Sequence, residues 1–190
     1  SQTILSRIES APVQAEISLS CKVGDQVLSV KRQHTITVHG RGALTWDETA
    51  KAAAFVTSDD PVVADFARAL KAEHLDRLPD GKADGSLGAA MLAYAALDAH
   101  GIRYAEDAST PYSQIAQNRA AVDNIQYPAE LLNSRQGDCD DLTGLYCSLL
   151  EALHVPTALV EAPDHIYLMF DAGIDASERL GFSLPPDRYI

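Results

Sequence analysis

The sequence predicts an α+β protein, on three observations. Near the start of the 190-residue chain, residues 15–38 hold two runs of alternating apolar and polar side chains, separated by a turn. The middle of the chain places apolar residues at helical spacing, with Pro and Gly at the predicted helix ends. Toward the C-terminus, an amphipathic helix is followed by two short apolar runs that predict a second hairpin.

The first hairpin is predicted on either side of the turn residues Gly24-Asp25. Apolar side chains occupy every second position before the turn and resume the same period after it, at Ile17, Leu19, Cys21, Val23, Leu28, Val30, Ile36 and Val38. Residues 1–45 are either a β-hairpin extension or the tail of a preceding β domain, and both interpretations stay open. The composition changes after Trp46, so we expect a separate unit over residues 46–190.

Helices are predicted through the middle of the chain. The alanine-rich stretch from Asp47 to Phe55 is expected to be helical, and Ser58-Asp59-Asp60-Pro61 has the acidic cap and first-turn proline that begin another helix. A third helix is expected over residues 86–100, closed by Gly101. The stretch 103–126 has weak periodicity and receives no assignment.

The C-terminal helix is predicted by six apolar residues that share one face and end before Pro156: Leu142, Leu145, Tyr146, Leu149, Leu150 and Leu153. His154 is expected to end this helix, since His tolerates the left-handed conformation and suits the negative end of the helix dipole. Residues 157–162 and 165–170 are apolar runs separated by Pro163-Asp164, which predicts a tight β-hairpin.

Composition excludes several partners. The chain has 15 basic and 27 acidic residues, for a net charge of −12, and it has no Lys/Arg cluster. Nucleic acid and anionic membrane surfaces both require a positive footprint, so neither is expected as a partner. No apolar stretch approaches the length of a membrane span, so no membrane insertion is expected. Three cysteines do not make a disulfide scaffold, and the oligomeric state stays open.

Cys139 is the candidate nucleophile. The apolar face of the C-terminal helix, extended backward by three residues, reaches Cys139 in the first turn, with Asp138 as the expected N-cap. Unpaired backbone N–H groups and the positive end of the helix dipole lower the pKa of a thiol at such a position. The alternative is a small buried cysteine. Cys21 and Cys147 have no such setting, and we expect both to be structural.

His165 is the candidate base. It opens a predicted strand 26 residues after Cys139. A helix followed by an antiparallel hairpin packed on it can bring the start of the second strand beside the start of the helix. A Cys and a His in that geometry form a nucleophile with its activating base. A histidine that merely begins a strand is the alternative interpretation.

These residues carry a family resemblance. Gly137-Asp138-Cys139-Asp140-Asp141-Leu142, followed by a leucine-rich helix, the run from Val155 to Val160, and His165, resembles the transglutaminase-like domain superfamily. Its members have papain-like folds with a Cys, His and Asp triad, and the closest likeness is to bacterial transglutaminase-like cysteine proteases. The match covers residues 127–171 well and the preceding helices loosely, and it does not explain residues 1–45.

The resemblance implies an activity and a setting. It implies that Cys139 attacks a peptide or glutamine amide in a protein or peptide substrate, with His165 as base, and it favours the periplasm or cell envelope. We expect thiol-dependent acyl transfer, with cysteine protease-type hydrolysis as the favoured outcome. The alternative is a non-catalytic transglutaminase-like interaction module of a larger envelope protein.

The third triad member is an acid. In the family it lies on the strand after the histidine strand. Asp171 lies six residues beyond His165, which is about 20 Å along a strand and too far to orient the imidazole. Asp187 is the best candidate by its separation in sequence. Equally, the acid lies beyond Ile190, in which case residues 46–190 are a domain truncated at its C-terminus.

Acidic neighbours of Cys139 create a conflict. Asp138, Asp140 and Asp141 suit the N-terminus of a helix, but like charges also oppose ionisation of the thiol. The chemistry requires no cofactor. A bound Ca²⁺ would remove the conflict, and the resemblance implies Asp138 and Asp140 as its candidate ligands. The simpler alternative is a capped, solvated first turn.

Overall fold

The computed structural model describes residues 10–73, 85–107, 118, 120–163 and 165–173. Within them, helices pack around a central C-terminal helix, and the strands form small, mainly antiparallel sheets, so the predicted α+β class is confirmed. None of the helices in this part of the chain combines the length and apolar character needed to cross a bilayer.

The first two strands form a long antiparallel ribbon. Strand β1, Ala11–Val23, pairs with β2, Gln26–Val38, along its whole length, and Gly24 in the turn has a φ of 59° that favours glycine. The predicted hairpin is therefore confirmed, and it begins four residues earlier than the alternation indicates. Leu19 and Val30 are partners across the two strands, and both side chains are exposed.

The helical layer follows the predicted order with one change of type. The alanine-rich stretch forms a 3₁₀ helix, Thr49–Phe55. Helix α1, Pro61–Glu73, begins where Asp60 Oδ1 accepts a hydrogen bond from the N–H of Val62 at 2.9 Å. Helix α2, Ser86–His100, ends at Gly101, whose φ is 90°.

Helix α4, Cys139–Ala152, lies at the centre of the fold. Its apolar face buries Leu145, Leu149 and Leu150 completely against α1, α2 and the short helix α3, Pro128–Ser134. The chain turns after it through His154, whose φ of 62° confirms the expected left-handed terminator.

The remaining strands are short. Strand β3, Ala43–Thr45, pairs antiparallel with β5, Val122–Asn124, and β4, Arg103–Tyr104, pairs in parallel with β6, Gln136–Gly137. The β4–β6 pair ends one residue before Asp138, so it positions the peptide that leads into α4.

The last hairpin matches its predicted bounds. Strand β7, Thr157–Ala162, pairs antiparallel with β8, His165–Phe170. Ile166, Leu168 and Phe170 face the helices, and Ile166 is almost fully buried. The first residues of β8 therefore lie against α4.

Candidate active site

Cys139 is the first residue of α4 and is only 8% exposed. It packs in an apolar cluster whose other buried members come from four separate segments: Leu44, Trp46, Ala52, Phe55, Ile125 and Ile166. Asp138 occupies the N-cap position as expected, but its carboxyl makes no hydrogen bond to the helix backbone. The helix start is held in place chiefly by packing rather than by a side-chain cap.

The start of β8 is attached to the first turns of α4. Thr143 Oγ1 donates a hydrogen bond to the carbonyl oxygen of Ile166 at 3.3 Å, and the backbone N–H of Ile166 is near enough to the Cys139 sulfur to lower the pKa of the thiol. The helix start and the strand start are therefore neighbours, as the order of helix and hairpin predicts.

His165 is the residue before Ile166 and is exposed. Side chains alternate along a strand, so His165 projects from the face opposite Ile166, where its ring stacks on Tyr167 with centroids 6.3 Å apart and planes at 22°. Among the described residues, no hydrogen bond joins the imidazole of His165 to the thiol of Cys139. Their pairing as base and nucleophile stays a prediction.

Three carboxyl groups cluster at the start of α4, beside the thiol. Asp138, Asp140 and Asp141 are each more than nine-tenths buried, and one oxygen from each lies within 4.8 Å of the others. Burial raises the pKa of Asp140, and a hydrogen bond with Asp138 together with the charge of that residue raises it further. Asp140 Oδ1 also accepts a hydrogen bond from the N–H of Asp141 at 2.9 Å.

Asp141 is held by Gln126, a residue that sequence reasoning missed. The backbone N–H of Gln126 donates to Oδ1 of Asp141 and its side-chain Nε2 donates to Oδ2, both at 2.7 Å. Burial raises the pKa of Asp141 to about 6, although the hydrogen bonds from Gln126 act in the opposite direction. Gln126 lies at the end of the weakly periodic stretch, so no spacing in the sequence indicated this role.

The electrostatics of the site oppose thiolate formation. Burial raises the pKa of Cys139 to about 11, and the charges of Asp140 and Asp138 add to the shift, while backbone hydrogen bonds from Ile166 and Asp140 reduce it. This direction is the reverse of the lowering expected from the helix N-terminus alone. The reason is that the sulfur is removed from water and lies near the charges of Asp140 and Asp138.

The candidate third residue, Asp187, lies outside the described residues. Asp171 follows the last residue of β8, at the opposite end of that strand from His165, and its N–H donates to the carbonyl oxygen of Pro156 at 2.9 Å. The structure thus keeps Asp171 away from His165, as the strand length predicts.

Comparison with known proteins adds little to this geometry. No protein-family model matches the chain, and no curated protein matches it. One solved structure, the crystal structure of a protein named a putative protease from Parabacteroides distasonis, is 12% identical with a TM-score of 0.36. The match covers 85% of this chain and 35% of that chain, so this chain spans about a third of the length of that protein. A similarity of this degree carries no argument about activity.

Proposed function

We propose that the protein is a thiol-dependent acyl-transfer enzyme of the transglutaminase-like, papain-like kind, with Cys139 as nucleophile and His165 as base. The observation that carries the proposal is that the start of β8 contacts the first turns of α4: Thr143 Oγ1 donates to the carbonyl oxygen of Ile166, and the N–H of Ile166 lowers the pKa of the Cys139 thiol. The Ile166 nitrogen is only about 2.4 Å from the Cα of His165, so the base is attached beside the nucleophile. Because the imidazole is exposed, its side chain can rotate toward the sulfur without opening the core.

The reaction follows from these positions. The sulfur of Cys139 attacks the amide carbonyl carbon as the imidazole of His165 takes the thiol proton. The C–N bond then breaks and the imidazole returns that proton to the leaving amine. Water resolves the thioester to an acid and a free thiol, which is proteolysis, whereas an incoming amine gives transfer. The backbone N–H of Cys139, which has no acceptor within the helix, is the proposed donor to the oxyanion.

The acids require neutralisation before a thiolate forms easily. Asp138 and Asp140 suit Ca²⁺ by the chemistry of their donors, since their oxygens lie close together and hard cations bind carboxylates. We propose these two as ligands, because Asp141 is already held by Gln126. A bound cation would supply positive charge next to the sulfur. Equilibrium dialysis against calcium, with an Asp140→Asn variant as control, tests this part separately: no uptake by the native protein contradicts it.

A third residue completes the proposed triad. Asp187 is the proposed orienting acid for the imidazole of His165, by its distance in sequence from that residue. An Asp187→Asn variant that keeps the full rate of thiol acylation and deacylation would remove Asp187 from the triad.

The test is acylation with p-nitrophenyl acetate in a Cys21→Ser background, which removes the exposed thiol. We expect acetylation at Cys139, located by peptide mass spectrometry, followed by turnover. The variant Cys139→Ala should lose it. The variant His165→Ala should slow it by about 10²–10⁴-fold, the usual loss for a general base. Met169→Ala, an exposed residue on the same face of β8, is the matched control and should leave the rate unchanged.

A second candidate function has an observation in its favour. The raised pKa of Cys139 and the imidazole stacked on Tyr167 both suit a non-catalytic interaction module that keeps the fold without turnover. Folded protein whose Cys139 is acetylated no faster than the fully buried Cys147, with or without calcium, would favour the module over the enzyme.

A further inference from the structure

A cavity of about 400 Å³ lies between α2, β4, α4 and β8. That volume is within the usual range for small-ligand sites. Its apolar side is formed by Leu97, Ile102 and Leu142, and four tyrosines line it: Tyr94, Tyr104, Tyr146 and Tyr167. Acyl transfer by Cys139 and His165 does not by itself assign a role to this cavity.

The cavity lies within one helical turn of Cys139, although Cys139 itself does not line it. Leu142 and Thr143, which both line it, are three and four residues after Cys139, so all three share one face of α4. Three to four residues of helix span only about 5–6 Å along the axis. On the other side, Tyr104 pairs with Gly137, two residues before Cys139, and the N–H of Ala105 donates to the carbonyl oxygen of Gly137 at 2.9 Å. A substrate amide at the sulfur would therefore have its neighbouring side chains at the mouth of the cavity.

The lining favours a large uncharged side chain. Leu97 and Ile102 are buried residues, whereas the rings of Tyr94 and Tyr104 are 69% and 63% exposed. Large rings left uncovered around one apolar depression are a typical mark of a binding site. The charges among the lining residues are those of Asp98 and Arg103, which pair with each other at 2.8 Å and so favour neither an anionic nor a cationic ligand.

Tyr94 and Tyr146, two of the aromatic residues that line the cavity, contact each other. The hydroxyl of Tyr146 donates to the carbonyl oxygen of Ala90 at 2.8 Å, so its polar group is satisfied away from the cavity. The ring of Tyr94 meets the ring of Tyr146 edge-on, with centroids 6.3 Å apart and planes at 67°. Aromatic rings at such distances and angles attract each other, and a further ring from a ligand would extend the same arrangement.

We propose that this cavity is the specificity subsite of the enzyme, and that it takes an aromatic or large aliphatic side chain of a peptide whose amide reaches Cys139. This inference rests on the proposed function for the role of Cys139, but binding in the cavity does not depend on the thiol. Its two parts, binding and connection to Cys139, are tested separately.

The first experiment measures binding alone, in the Cys139→Ala protein. Acetyl-Ala-Phe-Ala-amide and its Gly and Asp counterparts are titrated, and backbone amide shifts are followed by NMR. We expect binding of the Phe peptide at least about tenfold tighter than that of the other two, with shifts at Leu97 and Leu142. Tyr94→Ala should weaken it by about three- to tenfold. The control is Met91→Ala, an exposed residue one turn away on α2 outside the lining.

Equal binding of the three peptides, or no loss in Tyr94→Ala, would overturn the inference whatever the reactivity of Cys139.

The second experiment uses peptidyl chloromethyl ketones, which alkylate a thiol with loss of chloride, and compares them with iodoacetamide, which has no side chain to recognise. Phe is placed either next to the ketone or one residue further away. We expect one Phe reagent to alkylate Cys139 about tenfold faster than its Gly equivalent.

The two failures are distinguishable. If iodoacetamide alkylates Cys139 but no chloromethyl ketone series shows a preference for Phe, the cavity does not serve that thiol and the inference is overturned. If Cys139 fails to be acylated in the p-nitrophenyl acetate assay while the Phe peptide still binds at the cavity, the proposed enzyme activity fails and the binding site stands.

Discussion

Replacing Gly137 by Ala should destabilise the protein by pressing on the helix that carries Cys139. A methyl group at Gly137 would lie 2.7 Å from Cβ of Asp141, 2.8 Å from Cδ1 of Leu131 and 2.9 Å from Oδ2 of Asp141. Leu131 is fully buried and cannot move aside, and Asp141 belongs to the first turn of α4. The glycine before Asp138-Cys139 is thus required by close packing.

The magnitude follows from two opposing effects. Overpacking of this kind costs about 1–3 kcal/mol. Loss of conformational freedom in the unfolded chain returns about 0.4–1 kcal/mol, because the φ of Gly137 lies outside the left-handed region. We expect a net loss of about 1–2 kcal/mol in the free energy of unfolding, which lowers the Tm of a domain of this size by about 2–8 °C.

Gly144→Ala is the matched control within α4. Its added methyl would have its nearest neighbours at 3.8 Å and 4.0 Å, both in Phe55, which is ordinary contact. Because Gly is a poor helix former, this variant should be more stable than the native protein by about 1 kcal/mol. If the two Gly→Ala changes, seven residues apart, alter the free energy of unfolding in opposite directions, the space around each glycine is the cause.

The assay is urea unfolding followed by circular dichroism, together with the acylation rate of Cys139 in each variant. Gly137→Ala should also alter that rate, since displacement of Asp141 moves the first turn. A Gly137→Ala protein as stable as the native one, or a Gly144→Ala protein destabilised to the same extent, would refute the packing argument.

Three further predictions concern stability and thiol access. The pKa of Asp141 is about 6 in the folded protein and about 3.9 when unfolded, so it binds a proton more tightly in the folded state. Its contribution to stability is fully present below about pH 4 and is lost as the pH rises to 6, for a total of about 3 kcal/mol. In urea unfolding at pH 4–7, Asp141→Asn should therefore show a weaker dependence of the free energy of unfolding on pH than the native protein. Exposed Cys21 should react with an aromatic disulfide reagent well before the two buried cysteines, as monitored by absorbance and peptide mapping; simultaneous reaction of all three would contradict the described burial. Trp46→Phe removes the indole donor that lies 2.7 Å from buried Asp123, which should lower the free energy of unfolding by about 1–3 kcal/mol, and an unchanged midpoint in urea would show that this bond is dispensable.

The fold was predictable where the pattern is local and long. Both strands of the first ribbon, helices α1, α2 and α4, and the exact bounds of the last hairpin follow from periods of two or about 3.6 residues. The pairs β3–β5 and β4–β6 were not predictable, because two or three residues cannot display a period of two. Helix α3, with seven residues, likewise produced no pattern strong enough to notice.

The site was predictable only in part. Spacing alone placed Cys139 on the first turn of α4 and His165 at the start of β8, because both positions follow from the register of a single element. It did not indicate Gln126, whose contact with Asp141 depends on where a weakly patterned segment passes over the helix start. It also did not indicate the cavity, whose walls come from four elements.

The amino-acid order alone determined which groups lie at the start of α4, a thiol and three carboxyl groups, and that the second strand of the last hairpin begins with a histidine. Only tertiary packing decided the ionisation of the thiol, because Leu44 and Trp46, nearly a hundred residues earlier in the chain, belong to the buried cluster that removes Cys139 from water. A helix dipole acts through neighbouring backbone and can be inferred from position, whereas desolvation depends on everything that packs around a group. For Cys139, desolvation is the larger effect, and the pKa of its thiol is raised.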